Sequence, residues 1–130
     1  MPILEEDKIW EDHNIKARVT KILEDVKDDG HHFQRPFLTA YQLAIKVNQA
    51  APITGYSVGG KGTGTGTKKS LAQYLALQLS NRIKLRKLQG IEGAFISSEN
   101  LKEISFDNYG EHIVACGFSM FRMKNQKDAV

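Results

Sequence analysis

The hydrophobic periodicity of this chain changes at Gly90, and the change limits the possible folds more than any other feature of the sequence. Before Gly90, apolar residues recur at the three- and four-residue spacing of helices that bury one face. After it, short segments rich in aromatic and β-branched residues are typical of strands. Helices followed by strands predict an α+β fold, with a three-helix core and a C-terminal antiparallel β-hairpin or small sheet.

Three segments before Gly90 have an apolar face at helical spacing, and each has a side chain that can cap its first turn. The predicted helices are Asp12–Lys27, Ala40–Gln49 and 68–85. The cap candidates are Asp12 for the first helix, Thr39 for the second, and either Thr67 or Ser70 for the third. Pro52 ends the second helix, because proline has no backbone N–H for a further helical turn.

Three segments after Gly90 have strand character. The predicted strands are Gly93–Ser97, Leu101–Phe106 and His112–Phe121. Residues 107–110 separate the last two with the sequence Asp-Asn-Tyr-Gly, which is typical of a hairpin connection. These two strands are therefore expected to pair with each other in antiparallel fashion.

The length and composition are those of one globular domain. The chain has 130 residues, of which 41% are hydrophobic and 25% charged, and residues 1–11 and 124–130 are expected to be flexible ends. Cys116 is the single cysteine, which excludes an intrachain disulfide and a cysteine-based metal cluster. No apolar run approaches the length of a membrane span. A soluble, cytoplasmic protein is expected.

Acidic residues are absent from residues 31–90, which carry nine lysines and arginines. An even spread of the 15 acidic residues would place about seven of them in these 60 positions. The flanking segments are net acidic, so the chain's +3 charge hides a strong asymmetry. A segment whose charged side chains are all positive favours an anionic partner, above all nucleic acid. The alternative is a chance distribution over a mostly buried helical hairpin.

Residues 59–67 form a Gly-rich tract that predicts a loop rather than a helix or strand. The tract and the lysines after it differ from a nucleotide-binding P-loop, since Gly66 is followed by Thr67 rather than by Lys and Ser or Thr. Glycines, a helix N-terminus and lysines together still predict a cradle for backbone phosphates. The alternative is a surface loop without a ligand.

The third predicted helix carries polar side chains opposite its leucine stripe. Lys69 and Gln73 are residue types that contact base edges, whereas the cations at the helix end suit phosphates. The predicted nucleic-acid-binding residues are Lys61, Lys68, Lys69, Gln73, Arg82, Lys84, Arg86 and Lys87. An ordinary solvated helix face is the alternative interpretation.

Three helices followed by a β-hairpin resemble a winged-helix domain. The segment 38–47, in which Thr39 is followed four residues later by the pair Leu43-Ala44, is similar to the supporting helix of many helix-turn-helix proteins. The resemblance implies that 68–85 is the recognition helix, that 101–120 is the wing, and that the protein is a DNA-binding transcription regulator, with a homodimer as a further expectation. The connection 52–66 is far longer than the usual turn of about 3–4 residues.

Enzymatic and metal chemistry find no support in the sequence. His31 and His32 are adjacent and face different directions on a regular element, and no serine or cysteine has a visible base and orienting group. The sequence therefore predicts a DNA-binding protein that is not an enzyme and has no cofactor, with RNA as the alternative nucleic acid. Two other functions stay open: a protein-interaction or dimerisation module using Tyr41, Tyr74 and Tyr109, and a phosphate- or nucleotide-binding domain at the Gly-rich loop.

Overall fold

Four helices and five strands make up the regular structure of the part of the chain that a computed structural model describes, namely residues 5–53, 56–58, 70–97, 99–101, 103–106, 112–114 and 118–124. The helices are α1 (Glu5–Asp12), α2 (Ile15–Glu24), α3 (Ala40–Ala50) and α4 (Leu71–Lys84). The strands are β1 (Leu38–Thr39), β2 (Ile91–Ile96), β3 (Glu103–Ser105), β4 (His112–Val114) and β5 (Phe118–Met123). The α+β class is confirmed.

The first predicted helix, Asp12–Lys27, is wrong at both ends. Asp12 ends α1 instead of capping a helix, and α2 covers only Ile15–Glu24. The interruption comes at Asn14, whose φ of 53° is left-handed, a conformation that asparagine tolerates better than most residues. The separate helix α1 contributes Trp10, 8% exposed, to the core.

The starts of α3 and α4 are fixed by two capping boxes. The Thr39 hydroxyl accepts a hydrogen bond from the Gln42 backbone N–H, and the Gln42 side chain accepts one from the Thr39 N–H. Ser70 and Gln73 repeat this arrangement at α4. The second predicted helix is confirmed within one residue. The third begins at Leu71 because Ser70, of its two cap candidates, is the one that caps it.

The predicted last strand, His112–Phe121, is wrong because this range contains parts of two different strands. β4 lies at its start, and β5 begins near its end and continues to Met123. β4 pairs with β3, as the predicted hairpin requires, whereas β5 lies between β1 and β2 in an antiparallel sheet of order β1–β5–β2. Residues 115–117, where the partner changes, lie outside the described residues. A continuous apolar run has no periodicity that marks such a change. The two-residue strand β1 is too short to leave a pattern.

The core lies between the helices and one face of the three-stranded sheet. Its fully buried side chains include Val19, Leu23, Leu43, Tyr74, Leu75, Leu79 and Phe121. Gly93 on β2 lies opposite Phe121, and a Cβ atom at Gly93 would be 3.3 Å from the Phe121 ring. Arg18 on α2 donates to the carbonyl oxygens of Val47 and Ala51, both at 2.6 Å, and so caps the end of α3. Among the described helices, none combines the length and apolarity that crossing a membrane requires.

Candidate nucleic-acid interface

Helix α4 separates cleanly into a buried and an exposed face. Its inner face packs on α3 and β2, and its leucines at positions 71, 75 and 79 are at most 1% exposed. The outer face is exposed and consists of Gln73, Leu77, Ser80, Asn81 and Lys84. Since α4 contains no acidic residue, nothing on this helix repels an anion approaching the outer face.

The turn after α4 exposes two further cations in a defined conformation. The Lys87 N–H donates to the Arg82 carbonyl oxygen at 2.8 Å, and the Arg86 N–H donates to that of Ile83 at 3.0 Å. This is the hydrogen-bond pattern of a Schellman motif, which places Arg86 at the left-handed position, with φ of 62°. Lys84, Arg86 and Lys87 are all exposed, so three of the four cations predicted for this end of α4 are accessible to solvent.

Arg82 differs from these cations because its side chain is directed at α1. Its Nη2 is 3.1 Å from the Asp7 carboxylate, and its guanidinium carbon lies 4.0 Å from the centre of the Trp10 ring. The side chain is only 15% exposed. The structure therefore separates Arg82 from the other predicted phosphate-binding residues and gives it partners within the chain.

Gln73 lies on the outer face, as predicted, but its side-chain oxygen already has a partner. That oxygen accepts a hydrogen bond of 3.0 Å from the Ser70 backbone N–H. An amide side chain recognises adenine by using both its oxygen and its nitrogen. Binding of adenine by Gln73 would therefore compete with the Ser70 N–H for the Gln73 side-chain oxygen. Asn81 is not among the predicted residues but is exposed on the same face. Its position eight residues after Gln73, which is two steps of four along the helix, is the signal in the sequence that places it there.

Three of the predicted binding residues, Lys61, Lys68 and Lys69, lie outside the described residues, as does the Gly-rich loop 59–67. Of the predicted residues, the structure thus exposes Lys84, Arg86 and Lys87 within four positions of one another, at the end of α4 and in the turn after it. Gln73 lies at the other end of the outer face, roughly 16 Å away along the helix axis.

A groove beside α4 is a feature that the sequence did not reveal. It has a volume of about 250 Å³ and lies between the C-terminal half of α4 and the strands β2 and β5. Ile83 and Phe121 contribute apolar surface, and Lys84 and Phe95 also line it. Phe95 is 77% exposed. The lining residues come from three separate elements, so no local motif predicts the groove.

Arg122 of β5 is another cation with a structural role. Its Nε lies 2.5 Å from the Glu92 carboxylate, and its Nη1 donates to the carbonyl oxygens of Phe33 and Arg35. The guanidinium also lies 4.3 Å from the centre of the Phe37 ring. Through these contacts Arg122 holds the segment 33–37 against the sheet.

The residues of the alternative functions are placed differently. Tyr74 is 1% exposed and belongs to the core, so it is not available to a protein partner, and Tyr41 stacks on Phe106. Tyr109 lies outside the described residues. The His31 ring stacks on Phe33, and its Nδ1 accepts a hydrogen bond from the Phe33 N–H. Within the described ranges, no group of three or more His, Cys, Asp or Glu residues is arranged to hold a metal ion.

Comparisons with known protein families, curated proteins and solved structures give no match. The charge and geometry of the chain's own residues are therefore the basis for assigning a function.

Proposed function

We propose that the protein binds duplex DNA through the outer face of α4 and the cationic turn after it, in the manner of a winged-helix regulator. The observation that carries the proposal is the exposed cluster of Lys84, Arg86 and Lys87 at the end of a helix without acidic residues. Lysine and arginine neutralise phosphates and release condensed counterions, which supplies most of the affinity for nucleic acid.

The order of the elements supports the same proposal. β1 lies between α2 and α3 and forms the antiparallel sheet with β2 and β5, which follow α4, and the hairpin β3–β4 lies within the predicted wing, residues 101–120. That segment contains Glu103, Asp107 and Glu111 but a single cation, Lys102. Because acidic side chains repel phosphates, we assign the wing to supporting the core or a dimer, and the contact with DNA to α4.

The conformation of Arg86 is compatible with the same proposal. A non-glycine residue with positive φ carries a steric cost, and the position after a helix C-cap is one where glycine is strongly preferred. Arginine occupies this position and exposes its side chain to solvent. Strained backbone of this kind concentrates at functional sites, which agrees with a role for the Arg86 guanidinium in binding.

Fluorescence anisotropy with a labelled DNA duplex tests the proposal at about 50 and 200 mM salt. Wild-type protein should bind at the lower concentration and lose affinity steeply at the higher one. Replacing Lys84, Arg86 and Lys87 together by alanine should reduce the slope of log affinity against log salt by about 0.9 for each lost phosphate contact, or roughly 2–3 in total.

The matched control replaces Lys16, Lys21 and Lys27, which are exposed on or just after α2, by alanine. It removes the same charge from a region rich in acidic residues and should leave the slope within about one unit of wild type. Absence of binding at low salt, or the same change of slope in both triple variants, would refute the proposed interface.

A further inference from the structure

Phe95 has an exposure that is unusual for its position in the sheet. Residues 91, 93 and 95 of β2 share one face, because side chains alternate along a strand. On this face Ile91 is 3% exposed, Gly93 lies opposite the buried Phe121, and Phe95 lies opposite Ser119. The face that forms the core therefore continues to Phe95, whose ring is 77% exposed.

The groove next to Phe95 combines an apolar interior with positive charge. Ile83 and Phe121 line its interior, and Lys84 is an exposed cation in the lining. Ser80 and Ser119 also line the groove, and the Ser80 hydroxyl donates to the Ala76 carbonyl oxygen at 2.6 Å. Among the described residues that line the groove, none carries a carboxylate. An aromatic ring beside an ammonium group suits a ligand in which a planar ring is attached to an anion.

We infer that this groove holds an unpaired base of the bound nucleic acid, stacked on Phe95, while Lys84 contacts the phosphate beside it. The inference rests on the proposed function, which brings the DNA backbone to Lys84. Bases within a duplex are stacked on one another and inaccessible to an aromatic side chain such as Phe95, whereas a bulged or flipped base has an exposed π-face. The preferred ligand is therefore a duplex with an unpaired nucleotide, rather than a perfect duplex.

Three DNA duplexes that differ at one central position test the inference. One is fully paired, one has a single unpaired adenine, and one has an abasic residue in place of that adenine. Wild-type protein should bind the duplex with the unpaired adenine at least about fivefold more tightly than the other two, the low end for stacking one base on an aromatic side chain. With 2-aminopurine as the unpaired base, binding should quench its fluorescence.

Phe95→Ala should abolish both the preference and the quenching, while its affinity for the paired duplex stays within about twofold of wild type. Phe95→Trp should retain the preference. Phe33→Ala is the matched control, because Phe33 is also 77% exposed but lies outside the groove; it should behave as wild type. Since Phe95 is mostly exposed, its substitution should shift the melting temperature by less than about 3 °C.

The outcomes separate this inference from the proposed function. If wild type binds all three duplexes equally, or if Phe95→Ala keeps the preference, the inference fails and the role of α4 stands. If no duplex binds at low salt, the proposed function fails. If light scattering shows a wild-type dimer that Phe95→Ala converts to monomer, a second copy of the chain occupies the groove and the inference is overturned.

Discussion

At the scale of single residues, Arg86 connects the stability of the fold with the proposed binding of DNA. Its left-handed conformation costs about 1–2 kcal/mol relative to a right-handed one, and glycine avoids that cost at the expense of extra entropy in the unfolded chain. Arg86→Gly should therefore raise the free energy of unfolding by roughly 0.5–1 kcal/mol. It should also weaken DNA binding, because it removes one of the three cations at the end of α4.

Urea denaturation and anisotropy measure the two effects separately. Arg86→Ala is the control, because it removes the same charge but keeps the Cβ atom that causes the strain. It should lose the same affinity as the glycine variant without the gain in stability. Wild-type affinity in both variants would show that the Arg86 side chain does not contact DNA.

At the scale of the elements, Arg82 connects α4 with α1. The guanidinium pairs with Asp7 and lies over Trp10. A partly exposed ion pair contributes about 0.2–1 kcal/mol and a cation–π contact about 0.5–1 kcal/mol. Arg82→Ala should therefore lower the free energy of unfolding by roughly 1–2 kcal/mol in urea denaturation, and Asp7→Asn by less, since the contact with Trp10 remains.

The Arg82→Ala variant also decides between two roles for Arg82: the contact with α1 seen in the structure, and the phosphate binding predicted from the sequence. Because its side chain is directed at α1, Arg82→Ala should leave the salt slope of DNA binding unchanged, in contrast to Lys84→Ala. A slope reduced by about 0.9 would place Arg82 on the DNA instead.

The elements also show which parts of the fold sequence reasoning can reach. Threonine and serine are N-cap residue types, which is a local signal, so the sequence predicts the start of α3 at Thr39 and offers Ser70 as a cap candidate for α4. The reciprocal bonds from Gln42 and Gln73 that complete the capping boxes appear only in the structure. The break at Asn14 was not predicted, because the apolar spacing continues on both sides of it. The change of partner between β4 and β5 depends on contacts with β1 and β2, which are distant in the chain.

At the scale of the whole molecule, the segregation of charge could be predicted, and the direction of each cation could not. The absence of acidic residues from 31–90 is visible in the sequence. The structure then divides the basic residues into exposed ones, such as Lys84, and those bound within the fold, such as Arg82. The groove beside Phe95 requires α4, β2 and β5 together, so only tertiary packing reveals it.

The exposed helix leads to a final prediction about DNA and RNA. α4 has 14 residues, a length of roughly 21 Å, and the major groove of B-DNA is about 12 Å wide and admits a helix. The major groove of A-form RNA is deep and narrow, so α4 can reach its phosphates but not its bases. Contacts from Asn81 to base edges are then possible only on DNA.

Duplex DNA should accordingly bind about tenfold more tightly than duplex RNA of the same sequence, the contribution of one base-edge contact of about 1–3 kcal/mol. Competition anisotropy at fixed salt measures the ratio. Asn81→Ala should lower the ratio of DNA affinity to RNA affinity, because it reduces the affinity for DNA alone. Lys84→Ala should weaken both complexes equally, because DNA and RNA both have backbone phosphates. Equal affinity of wild type for DNA and RNA would mean that α4 contacts only the backbone and that its outer face reads no sequence.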